Sequence, residues 1–121
     1  MRDNDHMAAD EELRIDVHQT DADHVLITLA GRFDVAEATR VRTRLAASEV
    51  SGAGHLVIDL TDVTFVDSAG LAVLARARRD RVLQQGSVTL FRPASEDAMR
   101  VFRLTQFDEI FTIVARPDGN I

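Results

Sequence analysis

The chain has 121 residues, 45% of them hydrophobic and 28% charged, which suits one globular domain with a single core. A net charge of −6 argues against a duplex-binding surface, so nucleic acid is not an expected partner. All 14 basic residues are arginine, and lysine, cysteine, tyrosine and tryptophan are absent, which removes Schiff-base chemistry, a Walker-type phosphate lysine, disulfides, and thiol or phenol nucleophiles.

Residues 1–11 read as a polar, acidic tail, residues 12–117 as the folded domain and residues 118–121 as a short C-terminal tail. Leu13, Ile15 and Val17 alternate with Arg14 and Asp16, the pattern of a half-buried strand. Thr20 to Asp23 reads as a turn, and Val25 to Ala30 as a second strand that completes a hairpin. Gly31-Arg32-Phe33-Asp34 ends that strand. Asp34 with Glu37 predicts a capping box, opening a helix whose apolar face carries Val35, Ala38, Val41 and Leu45. Ser51 to Gly54 stops this helix. The run Leu56 to Leu60 is apolar on both faces except at Asp59, as a central strand requires, and Val63 to Val66 is a short apolar segment after it.

At Asp67-Ser68-Ala69-Gly70 the strand pattern gives way to a second helix, with Leu71, Leu74, Ala75 and Val82 on its apolar stripe and Arg78 interrupting it. Gly86 is the expected C-cap. Val88 to Phe91 predicts a further strand, Pro93 and Ser95 open a third helix to about Leu104, and Phe111 to Ala115 gives a last strand. The order β-β-α-β-α-β-α-β predicts an α/β fold, a mixed β-sheet with packed α-helices. No apolar run approaches the roughly 20 residues that cross a bilayer. A basic-then-apolar leader is not visible either. The expectation is a cytoplasmic protein without membrane insertion.

Ser68 stands where a buried strand hands over to a helix N-terminus, a position that exposes a hydroxyl and favours an anion. Three roles are open to it: nucleophile, helix cap or phosphate acceptor. The first is the weakest, because the context is V-D-S-A-G, not G-x-S-x-G, and none of His6, His18, His24 and His55 is placed beside it. Asp59, Asp62 and Asp67 lack calcium-loop spacing and an acyl-phosphate lysine, so they read as solvated or turn-forming aspartates. Arg76 and Arg79 follow Ser68 at helical spacing and share its face with Ala72 and Leu83, either as plain solvated surface or as a docking surface.

The segment L-V-I-D-L-x-x-V-x-F-V-D-S-A-G-L, with G-R-F-D after the second strand, Gly86 and the Pro93/Ser95 helix start, resembles the STAS domain family. Within it, the small bacterial anti-sigma factor antagonists look most similar. The resemblance implies a binding module with no catalytic activity and no cofactor or metal, monomeric when free. It implies a kinase-type anti-sigma factor as partner, which the unmodified protein binds to release a sigma factor. That kinase would phosphorylate Ser68 and end the complex, and a serine phosphatase would reset it. Phe33, Asp34, Asp67, Ser68, Ala69, Gly70, Ala72, Arg76 and Arg79 are the implied partner-binding residues.

The chain departs from the family pattern at three places. Arg32 stands where relatives often carry an acid, Gln106 where they often carry glycine, and Arg76, Arg78, Arg79 and Arg81 where many have apolar residues or lysine. Ala69 replaces a frequent second hydroxyl, leaving Ser68 as the acceptor. The alternative implied by the same family is a non-switching STAS subunit of a transporter or a stress-sensing complex, in which Ser68 only caps a helix.

Overall fold

The computed structural model describes residues 12–117; the two tails expected at residues 1–11 and 118–121 lie outside them. A five-stranded sheet has the order β1-β2-β3-β4-β5. β1 (Arg14–Asp21) runs antiparallel to β2 (His24–Phe33). β3 (His55–Val66), β4 (Ser87–Phe91) and β5 (Thr112–Val114) then add in parallel. Between them lie α1 (Val35–Ala46), the short α2 (Ser48–Ser51), α3 (Ser68–Leu83) and α4 (Glu96–Leu104), with a 3-10 turn at Phe107–Glu109 before β5.

Period-two alternation gives the sheet one apolar face. Val25 lies opposite Leu56, which lies opposite Val88, and Ile27, Ile58 and Leu90 form the next row; all six are buried. Ala38, Val41 and Leu45 of α1 and Leu71, Leu74 and Ala77 of α3 close over the same core, and the two helices are in contact. In α4, Ala98, Met99 and Phe102 are buried, and Ser95 caps the helix by accepting from the Ala98 N–H at 3.2 Å.

Several expected boundaries move, each for a local reason. Gly31 to Phe33 does not end β2 but pairs with Val63 to Val66, so β3 is one strand of 12 residues. Irregular pairing between Thr28 and Ala30 absorbs an extra residue of β3, and Asp59 supports it. Its carboxylate accepts from the Thr61 N–H at 2.9 Å and the Thr61 hydroxyl at 2.6 Å, and pairs with Arg116 at 3.2 Å. Asp59 is therefore buried and turn-forming, not solvated. Ala47 adopts extended backbone (ψ 145°) and splits off α2. β5 is only three residues, although Phe111 before it is buried.

On α3 the buried stripe is Gly70, Leu71, Val73, Leu74, Ala77 and Arg81; Val82, expected inside, is exposed, and Arg78 is only partly covered. The helix ends at Gln84 with Gln85 in left-handed backbone (φ 66°), so Gly86 is not the cap. Its lack of a side chain serves close approach instead, because a Cβ there would lie 1.9 Å from the Gly54 carbonyl oxygen. Gln106, after α4, also takes left-handed backbone (φ 64°), where a side chain is strained and the glycine common in relatives would not be.

Candidate functional site around Ser68

Ser68 is the first residue of α3 and is exposed, but it is not the cap. Asp67 fills that position. One of its carboxylate oxygens accepts from the N–H groups of Ala69 at 2.9 Å and Gly70 at 3.1 Å. The other accepts from the Val35 N–H at 3.1 Å, at the first residue of α1. One carboxylate thus satisfies N–H groups at two helix N-termini, each carrying partial positive charge. The Ser68 hydroxyl makes no hydrogen bond among the described residues. Because aspartate has taken over the capping, the serine oxygen stays free for chemistry.

The neighbouring loop is built the same way. Asp34 caps α1, its carboxylate accepting from the Ala36 N–H at 3.1 Å while its carbonyl accepts from Glu37 and Ala38. Glu37 does not reach back as a capping box requires; it pairs with Arg40 at 2.5 Å, and Arg40 also donates to the Leu13 carbonyl. Arg32 stacks on the Phe65 ring at 4.1 Å and lies 3.6 Å from Asp34, so the basic residue at the acidic position is held by both.

Phe33 and Gly70 join the two loops. A Cβ on Gly70 would lie 2.6 Å from the Phe33 carbonyl oxygen and 3.2 Å from its ring, so only glycine lets α3 start this close to β2. The Asp67 N–H donates to the same carbonyl at 3.4 Å. Phe33 is fully buried, so among the expected contact residues its side chain presents no surface and instead seats Gly70. Gly70 is buried as well.

Ala72, Arg76 and Arg79 are exposed on α3 with Ser68, as the spacing predicts. Arg79 lies 3.8 Å from Asp80, whereas Arg76 lines a groove between α1 and α3 of about 860 Å³. That groove begins beside Ser68, at Val35, Ala69 and Ala72, and runs to Leu83. Val35 is 71% exposed and Leu83 75% exposed, both apolar side chains left open at its rim. The sequence reading misses Val35 as a surface residue because its spacing assigned it to the apolar face. Arg81 escapes it because Arg78 interrupts the expected stripe, although Leu74, Ala77 and the buried Arg81 keep helical spacing. His24 and His55 stack at 5.0 Å where β2 and β3 begin, at the far end of both strands from Ser68.

No group of three or more His, Asp or Glu side chains among the described residues is arranged to hold a metal. Among them, too, no helix is long and apolar enough to cross a membrane. What the site offers is an exposed hydroxyl on a helix start, two capping aspartates, and an adjoining groove with arginines at its edge.

Residues 14–118 match the STAS domain family model. The chain belongs to the STAS family. An anti-sigma-B factor antagonist from Listeria monocytogenes is 33% identical over 101 residues, covering 84% of this chain and 88% of the relative. An anti-sigma factor antagonist from Mycobacterium paratuberculosis has the same fold, with a TM-score of 0.74, 23% identity, and coverage of 90% of this chain and 91% of that one. So does the Bacillus cell fate determinant SpoIIAA in its phosphorylated form, with a TM-score of 0.67 at 16% identity, covering 88% of this chain and 96% of that one. The five-stranded mixed sheet with packed helices is the STAS architecture.

Proposed function

We propose that this STAS protein is an anti-sigma factor antagonist that binds a kinase-type anti-sigma factor, releases a sigma factor, and is switched off by phosphorylation of Ser68. The observation that carries the reading is the division of labour at the start of α3. Asp67 makes the capping bonds, and Ser68, exposed and unbonded among the described residues, is left as a side chain a kinase can reach. Relatives named as anti-sigma-B factor antagonists support the regulatory role. In this reading the protein has no catalytic activity of its own, works as a cytoplasmic monomer, and is reset by a serine phosphatase.

Phosphate on Ser68 would act locally. It adds about −1.5 to −2 charge beside Asp67. At roughly 5 Å from an acidic partner group, an effective dielectric near 20 gives on the order of 3 kcal/mol per unit charge before screening. A thousandfold loss of affinity needs only about 4 kcal/mol. The free protein tolerates the same group, because the first turn of α3 presents N–H groups and a favourable dipole. The fold therefore stays while the complex dissociates.

The test is to incubate the protein with cognate kinase-type anti-sigma factors and ATP and to locate any added phosphate. Ser68→Ala should bind persistently and accept no phosphate, and Ser68→Asp should bind poorly. Phosphate still accepted by Ser68→Ala would rule out the assigned site. Tight binding by Ser68→Asp would remove the charge-repulsion mechanism. No modification and no binding with any such kinase would return the chain to the reading of a non-switching STAS subunit.

A further inference from the structure

Arg81 is a cation in the wrong place for a solvated helix. It projects from the buried side of α3 and is 4% exposed. Its Nη2 donates to the Val50 carbonyl at 2.6 Å, at the end of α2, while its Nε has no partner among the described residues. No carboxylate among them lies within ion-pair distance; Asp80, next along the helix, lies against Arg79. A single neutral carbonyl compensates a buried guanidinium only in part, since the charge and the remaining donors need an anion or further acceptors. Burial accordingly lowers the Arg81 pKa, with Asp80 opposing the effect.

This residue lines the groove between α1 and α3, about 860 Å³ in volume, within the roughly 300–1,000 Å³ typical of small-ligand sites. Ala38, Leu45, Val73 and Ala77 give the groove a buried apolar wall. Its charged members are Arg42, Arg76 and Arg81 against Asp80, three cations to one anion. We propose that the groove binds a small amphipathic carboxylate, a medium-chain fatty acid, with the carboxylate on Arg81 and the chain along the alanine and valine wall. A macromolecular partner would engage the exposed rim at Val35, Ala72 and Arg76. The buried guanidinium favours a compact head group carried in by an apolar chain. Nothing in this assignment depends on phosphorylation of Ser68 or on an anti-sigma partner.

The experiment is an NMR titration of the full-length protein with decanoate, using decanol and acetate to separate chain from charge. Decanoate should give saturable shifts of the Ala69, Ala77 and Leu45 methyl groups and of the Arg81 Nε–H. Decanol and acetate should bind at least about tenfold more weakly. Arg81→Leu replaces the buried charge by an apolar side chain, a change a core often accepts, and should weaken decanoate by about tenfold or more. If that variant does not fold, Arg42→Gln with Arg76→Gln should still lower decanoate affinity and its salt dependence. Absence of saturable shifts, shifts mapping away from the groove, decanol binding as tightly as decanoate, or unchanged affinity in a folded Arg81→Leu would each overturn the proposal. Shifts at these groups from an acidic Leu/Glu peptide, with none from decanoate, would assign the groove to a protein partner and overturn it too.

Discussion

Asp67 holds more of the site together than its position beside the serine suggests. Its carboxylate takes N–H groups from both α1 and α3, so the two loops are braced through one side chain. Asp67→Ala should therefore cost more than an ordinary cap, about 2–3 kcal/mol in chemical denaturation, against about 1 kcal/mol for Asp34→Ala, which frees one N–H. Equal losses in the two variants would show that the bridge to Val35 contributes nothing. Gly70→Ala provides a second residue-level check. Inside an exposed helix that change is worth up to about 1 kcal/mol of added stability. Here the new Cβ meets the Phe33 carbonyl oxygen at 2.6 Å, so the sign should reverse, with a loss on the order of 2 kcal/mol. A more stable Gly70→Ala would mean that α3 can slide away from β2 freely.

At the scale of elements, the ends of α3 and α4 use residues that propensity would not choose. Gln85 and Gln106 both sit in left-handed backbone, where a Cβ is penalised. Gln106→Gly should stabilise the fold by about 0.5–1 kcal/mol, because relief of that strain outweighs the added freedom of the unfolded chain. Gly86→Ala should do the opposite despite its ordinary φ, losing about 2–3 kcal/mol as the strand start is pushed off Gly54. Denaturant midpoints of the two variants should move in opposite directions. Movement in the same direction would mean that backbone strain and close approach had been assigned to the wrong residues.

At the scale of the whole molecule, an acidic chain presents a basic α3 beside its proposed switch. Arg76 projects at the groove edge with no ion pair among the described residues, while Arg79 is engaged with Asp80. Surface pairs of that kind are weak and salt-screened. Arg76→Glu should consequently weaken kinase binding and flatten its salt dependence more than Arg79→Glu does, with both folds intact. Identical affinity and salt slope in both variants and the parent would reduce the face to solvated surface.

Much of this molecule was legible in its residues. Period-two alternation from Leu13 to Ala30, the apolar run at Leu56–Leu60 and the helical spacing after Ser68 determined the types and order of the strands and of the three longer helices, though not the short α2 or the 3-10 turn, because each pattern is set by backbone periodicity alone. Ser68 at a helix start and its shared face with Ala72, Arg76 and Arg79 followed from the same periodicity. The tertiary structure settled what depends on neighbours distant in sequence. Asp67 displaced Ser68 as the cap, with its second oxygen given to an N–H 32 residues away. Gly31–Phe33 continued as strand because Val63–Val66 was there to pair with it. Asp59 and Arg81 went inside, one met by Thr61 and Arg116 and the other by a carbonyl of α2. Local pattern fixes which way a side chain points along its own element; whether water, a backbone group or another charge waits there is set by the packing of the whole chain.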